Sequence, residues 1–222
     1  MVGRVVLVAV VVAALIAAGA CGGKKSPPGS GALTGDESAA AIIERMQAAV
    51  DAAGGHRLEV LASNFVLPSW GGSDGGTVDV GPGGRTAVAH LHRTGDADYE
   101  MRFVENQTYF FRGTCGPWLR RSGGGAEVLR PFLFAGTNAF ERAIGAKRLR
   151  GARPLTVVAV VEPFGAVSIE IDLATALPLR LLREAEGEIR RLEIVFSDWG
   201  KTVTVVKPQG STPDNGPGGG LC

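Results

Sequence analysis

Val167-Ser168-Ile169-Glu170-Ile171 alternates an apolar with a polar residue at every step. Only an extended strand sends neighbouring side chains to opposite faces, so a period of two means one dry face and one wet face. The rhythm recurs close by. Leu192-Glu193-Ile194-Val195-Phe196 keeps nearly the same alternation, and Leu155–Val161, Leu177–Arg183 and Glu188–Phe196 read as strands bounded by Gly, Pro or Asp. Those bounding residues break regular structure. Strands with one wet face form an antiparallel sheet.

Upstream the same signature returns as a meander. Leu58, Val60 and Ala62 alternate with Glu59 and Ser63, and Thr77–Val80 and Thr86–His92 flank the turn Gly81-Pro82-Gly83-Gly84. Tyr99, Met101 and Phe103 alternate with Glu100 and Arg102, and Asn106-Gln107 reads as a hairpin turn into Thr108–Phe111. Two stretches break this period. Ala39, Ile42, Ile43, Met46, Val50 and Ala53 share one helical face behind the capping run Asp36-Glu37-Ser38, and Gly54-Gly55 ends that helix. Val128, Leu129, Phe132 and Leu133, then Phe140, Ala143 and Ile144, predict a central helical interlude. The expected fold is α+β: a curved antiparallel sheet, an open half-barrel, with a few helices packed on its concave face.

Composition limits the function. The chain has 222 residues with 23 basic and 22 acidic side chains, so no cationic surplus exists to hold nucleic acid. Its N-terminus has the three parts of a secretory signal: Met1–Arg4, the apolar run Val5–Ala18, and the small residues Ala18-Gly19-Ala20 before Cys21. The apolar run is short for a membrane span, which takes about 20 residues. A cysteine directly after the cleavage site resembles a bacterial lipobox, with Ala18 where Leu is preferred. That reading makes residues 1–20 a signal peptide and Cys21 the acylated, membrane-anchoring N-terminus, in preference to plain secretion or a retained anchor. Residues 21–35, rich in Gly, Ser, Pro and Lys, read as a tether, 36–208 as the domain, and 209–222 as an irregular tail. Cys115 and Cys222 remain as an even pair in an oxidising compartment. A bridge between them would close a loop of about 107 residues and contribute about 4–5 kcal/mol; two free thiols are the alternative.

The segment Phe196-Ser197-Asp198-Trp199-Gly200-Lys201, followed by alternating Val and Thr up to Pro208, resembles the C-terminal signature of the LppX/LprAFG lipoproteins of mycobacteria and related actinobacteria. The order of elements is similar over roughly residues 36–208. The resemblance implies a half-barrel that holds lipid between sheet and helices. It also implies a role in moving long-chain lipids, lipoglycans or triacylglycerols across the envelope, with a membrane transporter as partner. Such a carrier needs a dry, roomy interior, because each exposed methylene costs about 0.8 kcal/mol in water. Alternation nominates Tyr99, Met101, Phe103, Val167, Ile169, Ile171, Leu192, Ile194 and Phe196 as lipid contacts, and the central helices add Val128, Phe132 and Leu133. An apolar stripe of this kind is more often packed core than ligand wall. The alternative function is a structural or interaction lipoprotein with a filled interior, acting through its surface.

Enzymatic signals are sparse, and no catalytic residue, metal or cofactor is expected. Gly71-Gly72-Ser73-Asp74-Gly75 matches the G-x-S-x-G pattern, but a strand is expected after it where a nucleophile elbow needs a helix. His90 and His92 share one strand face without a Cys or carboxylate spaced to complete a metal set, and read as surface residues. Cys115-Gly116-Pro117-Trp118 lacks the second cysteine of a redox pair. Trp199 reads as a plug at the end of the sheet, and Gly200 as a turn.

Overall fold

The computed structural model describes residues 32–34, 36–63, 74–92, 98–112, 115–121, 140, 144–149, 154–161, 164–185 and 190–213. Over these residues the chain forms one open sheet of twelve strands, one α-helix and a single 3-10 turn. The helix α1 spans Ala39–Ala53, and the turn spans Pro82–Gly84. The strands are β1 (Gly55–Ser63), β2 (Gly75–Val80), β3 (Ala87–His92), β4 (Tyr99–Val104), β5 (Gln107–Arg112), β6 (Cys115–Arg121), β7 (Ile144–Leu149), β8 (Leu155–Val161), β9 (Gly165–Ile171), β10 (Pro178–Ala185), β11 (Arg190–Lys201) and β12 (Thr212–Pro213).

The order across the sheet is β12-β6-β5-β4-β3-β2-β1-β11-β10-β9-β8-β7. It is two hairpin meanders, β1–β6 and β7–β11, joined where the first strand meets the longest one. All pairings are antiparallel except β12 on β6. The β1–β11 seam places Leu58 opposite Phe196 and Val60 opposite Ile194. All four are buried, so the joint between the meanders is a strip of apolar side chains.

Capping and turn chemistry explain the element ends. The Ser38 hydroxyl accepts the Ala41 N–H at 3.2 Å, and Gly54 stops the helix at φ 85°. Glu105 and Asn106 both have positive φ, at 53° and 59°, the pattern of a two-residue hairpin turn. The β4–β5 turn therefore sits one residue earlier than Asn106-Gln107. Gly55 is required for another reason. A Cβ there would overlap the Lys201 carbonyl oxygen and come within 2.8 Å of the Val80 carbonyl oxygen, because β11 and β2 close on it from both sides. Gly55→Ala is expected to lower the urea midpoint by the equivalent of about 2–3 kcal/mol. An exposed control, Gly210→Ala, with nothing within 4 Å of its Cβ position, should cost less than half as much.

The two faces differ as the alternation requires. On the dry face, Ile42, Ile43, Met46 and Val50 of α1 join the inward residues of β1–β4 and β8–β11 in one core cluster. On the wet face, Arg180 lies 2.7 Å from Glu193 and 3.6 Å from Glu170. Asp79 accepts from Arg57 at 2.8 and 3.0 Å and from Lys201 at 2.8 Å, fastening β1, β2 and β11 at one end. These bonds, led by the Arg57 guanidinium, hold the Asp79 carboxyl below the usual carboxylate range.

Three expectations need correction. Ile144, assigned to a helical face, opens strand β7, and Cys115–Arg121 is a strand that the alternation did not reveal. Finally, β11 does not stop at Phe196 but runs through Trp199 to Lys201. The remainder of the central interlude, including Val128, Phe132 and Leu133, lies outside the described residues. So do Cys21, Cys222 and residues 71–73.

Candidate functional site

Strand register places the nominated residues on the inner face in lateral rows. One row runs Met101, Ala89, Val78, Leu58, Phe196 across β4, β3, β2, β1 and β11. A second runs Val60, Ile194, Leu181, Ile169, Val157 across β1, β11, β10, β9 and β8. A third begins at Phe103 and passes Ala87 and Val80 to His56. Met101, Phe103, Val167, Ile169, Ile171, Leu192, Ile194 and Phe196 are all buried in the common cluster, and Tyr99 is half-buried against it. This face is continuous and hydrocarbon-like, and one helix spans it among the described residues.

The third row ends in a feature that the alternation alone did not flag. His56 is completely buried, and its ring lies stacked on Trp199 with centroids 4.6 Å apart. Phe196 lies nearly parallel to Trp199 at 6.0 Å, and Phe140 touches Phe196 at 6.5 Å between centroids. Nε1 of Trp199 has no hydrogen-bond partner among the described residues, and the Gly54 backbone is the polar neighbour of the His56 imidazole. Burial pushes the His56 pKa down to about 4, against a smaller opposing pull from the Gly54 backbone. His56 is therefore neutral at pH 7. The signal was present in the sequence: His56 stands two residues before Leu58, on the parity of the dry face.

A cleft of about 530 Å³ opens elsewhere, at the end of the sheet where Leu61, Gly76, His92 and Asp98 meet. A cross-strand row, Glu59, Thr77, His90, Glu100 and Phe111, runs through it. Gly76 contributes no side chain to its wall, and no Lys or Arg lines it among the described residues. His90 and His92 are exposed, and no group of three potential metal ligands is assembled among the described residues. Its carboxylates make this cleft a poor place for an alkyl chain or an anion. Beside it Phe111 packs on Trp118, over which the Arg102 guanidinium lies at 4.7 Å.

LprF from Mycobacterium bovis superposes with a TM-score of 0.51 at 17% identity, over 77% of this chain and 96% of LprF. The Mycobacterium tuberculosis lipoprotein LppX gives 0.52 at 13% identity, over 76% of this chain and 98% of LppX. The chain has the LppX/LprF fold. The likeness read from Asp198-Trp199-Gly200-Lys201 thus extends to nearly the full length of both lipoprotein structures. No sequence family and no curated protein matches the chain. Among the described residues no helix is long and apolar enough to cross a membrane.

Proposed function

We propose that this protein is an envelope lipoprotein, anchored through an acylated Cys21. It takes the acyl chains of a lipid or lipoglycan onto the inner face of its sheet and carries them across the envelope. A membrane transporter is the partner that would load or receive the cargo, and no covalent step is involved. The observation that carries this reading is the dry face itself. Twelve strands at about 4.8 Å spacing make a sheet roughly 50 Å wide, whereas one helix is about 10–12 Å across. α1 approaches both β7 at the sheet edge and the turn between β2 and β3. A sheet curled around that helix into a half-barrel would leave apolar wall for a guest. A sixteen-carbon tail gains about 12 kcal/mol by leaving water for such a wall, comparable to what a bilayer offers, so loading and release stay near balance.

Native mass spectrometry of the protein purified from its own membrane tests the reading: co-purified lipid is expected, and bare protein throughout would refute it. Filling the interior should then reduce loading. Phe103→Trp and Ile169→Phe are expected to cut bound lipid at least threefold while costing about 1–3 kcal/mol of stability. Unchanged loading would remove those two residues from the site.

One observation favours the second reading, an interaction lipoprotein with a filled interior. The nominated contacts Ile169, Ile171 and Ile194 are fully buried in the packed cluster, and none of the three lines the 530 Å³ cleft. A protein that never carries lipid yet retains a partner through that acidic cleft would decide for it.

A further inference from the structure

The structure shows where the chain coming from Cys21 enters the domain. The Leu33 N–H donates to the Leu173 carbonyl oxygen at 2.6 Å, and the Leu33 side chain is buried in the core cluster. Just before it, Arg45 of α1 donates to the Ala32 carbonyl oxygen at 2.9 Å. The entering chain is thereby fastened to the turn between β9 and β10. Residues 22–32 alone separate Leu33 from Cys21. A chain that short spans about 40 Å at full extension and about 20 Å as a flexible coil. Strand register shows what shares this end. Leu149 of β7 lies opposite Thr156, Leu155 of β8 opposite Ile171, and Ile171 of β9 opposite Pro178. The end of β7, the β9–β10 turn and the start of β10 therefore form one corner of the sheet. Leu149 and Leu173 are each 45% exposed there, and Leu179 is 38% exposed. A single exposed leucine needs no explanation, but three at one corner beside cations do. Lys147 is exposed, and the sequence from Lys147 to Arg153 holds four cations and no acid. Neither Lys147 nor Arg148 forms an ion pair among the described residues. The one acid of the β9–β10 turn, Asp172, accepts the Thr175 N–H and hydroxyl, each at 2.8 Å.

We infer that this corner is a second membrane contact: Lys147, Leu149, Leu173 and Leu179 dock on the anionic surface of the bilayer that holds Cys21. This rests on the anchored-lipoprotein reading and adds how the domain is oriented on its membrane. The chemistry is that of an interfacial site. Leucines enter the boundary between headgroups and acyl chains, while cations on long stems stay with the phosphates. Each such cation contributes about fivefold to binding at an anionic surface, and salt screens that contribution. The short tether keeps the corner at high effective concentration near the bilayer, so a contact that is weak by itself is populated. The other end of the sheet has the opposite chemistry. Its cleft is lined by Glu59, Asp98 and Glu100 and by no cation among the described residues, so an anionic surface repels it. Attraction at one end and repulsion at the other set a single orientation.

The test uses the acylated protein in vesicles of phosphatidylcholine with about a third phosphatidylglycerol. The environment-sensitive dansylalanine replaces Leu173 or, as a control of matching exposure, Leu61 (46%) near the other end of the sheet. The label at 173 is expected to shift to the blue and to lose at least half its emission to a lipid-borne nitroxide, and the label at 61 to do neither. Lys147→Glu, at an exposed and unpaired position, should lower the ratio of docked to undocked protein at least about fivefold, as should pure phosphatidylcholine. No quenching at 173, equal quenching at 61, or a ratio indifferent to lipid charge or to Lys147→Glu overturns the docking. Such protein would still float with the vesicles, which leaves the anchor reading standing. Protein that does not float overturns both.

Discussion

Lowering the pH from 7 to 4 is expected to remove about 3 kcal/mol of folding stability through one residue, His56. Burial holds its folded pKa at about 4, whereas the same side chain in the unfolded chain titrates near the model value of 6.5. Between those values the unfolded state binds the proton and the folded state does not. Stability is therefore complete above the unfolded value and declines as pH falls toward 4. Asp79 and Asp172, whose folded values are lowered, act in the same direction but only below the ordinary carboxylate value of 3.8. The two windows are separable. Urea unfolding at pH 7, 5.5 and 4.5 should show the decline in wild type. His56→Leu should flatten it while leaving stability at pH 7 about equal, because a buried polar ring is exchanged for a side chain with no polar atom. A wild-type midpoint that does not move over this range would mean that His56 is solvated or hydrogen-bonded in solution.

Phe196→Ala is expected to cost about 3–5 kcal/mol, a large share of the total of about 5–15 kcal/mol typical of a domain. Phe196 is 5% exposed and lies opposite Leu58 in the seam that joins the two meanders. Its ring also meets His56 at 6.4 Å, Trp199 at 6.0 Å and Phe140 at 6.5 Å, so the cavity left by truncation has rigid aromatic walls that collapse poorly. A urea titration measures the loss, and near-ultraviolet circular dichroism should report a weakened Trp199 signal. Phe196→Leu keeps most of the volume and should cost no more than about half as much. A loss below about 1 kcal/mol for the alanine variant would show that the seam is not tightly packed.

The parts of the fold that were legible are those where one side chain in two is buried. Strands β3, β4 and β9, and β8 from Val157 onward, carry buried and less buried residues in near-strict alternation, and their boundaries follow the sequence closely. The strands that escaped notice, β6 and β7, are near or at the two edges of the sheet. Each makes its long pairing on one side only, so neither needs an unbroken apolar face. β6 contains Pro117, which lacks a donor N–H and fits a strand whose outer side is paired only at Thr212 and Pro213. Ile144-Gly145-Ala146-Lys147-Arg148-Leu149 has too little alternation to separate strand from helix. The nominated strand residues share one face, because parity within a strand decides face, whereas Val128, Phe132 and Leu133 lie outside the described residues. Parity does not decide whether a buried side chain meets a guest or a neighbour.

Local chemistry in the chain was enough to set the strands, the first helix and its Ser38 cap, and the division into a dry and a wet face. Each depends on residues only a few positions apart, whose spacing maps directly onto backbone geometry. The seam between β1 and β11 and the burial of His56 beneath Trp199 belong to the tertiary structure alone. They join residues 128 or more positions apart in the sequence, and no local period records which distant strand will lie alongside or which ring will settle over an imidazole.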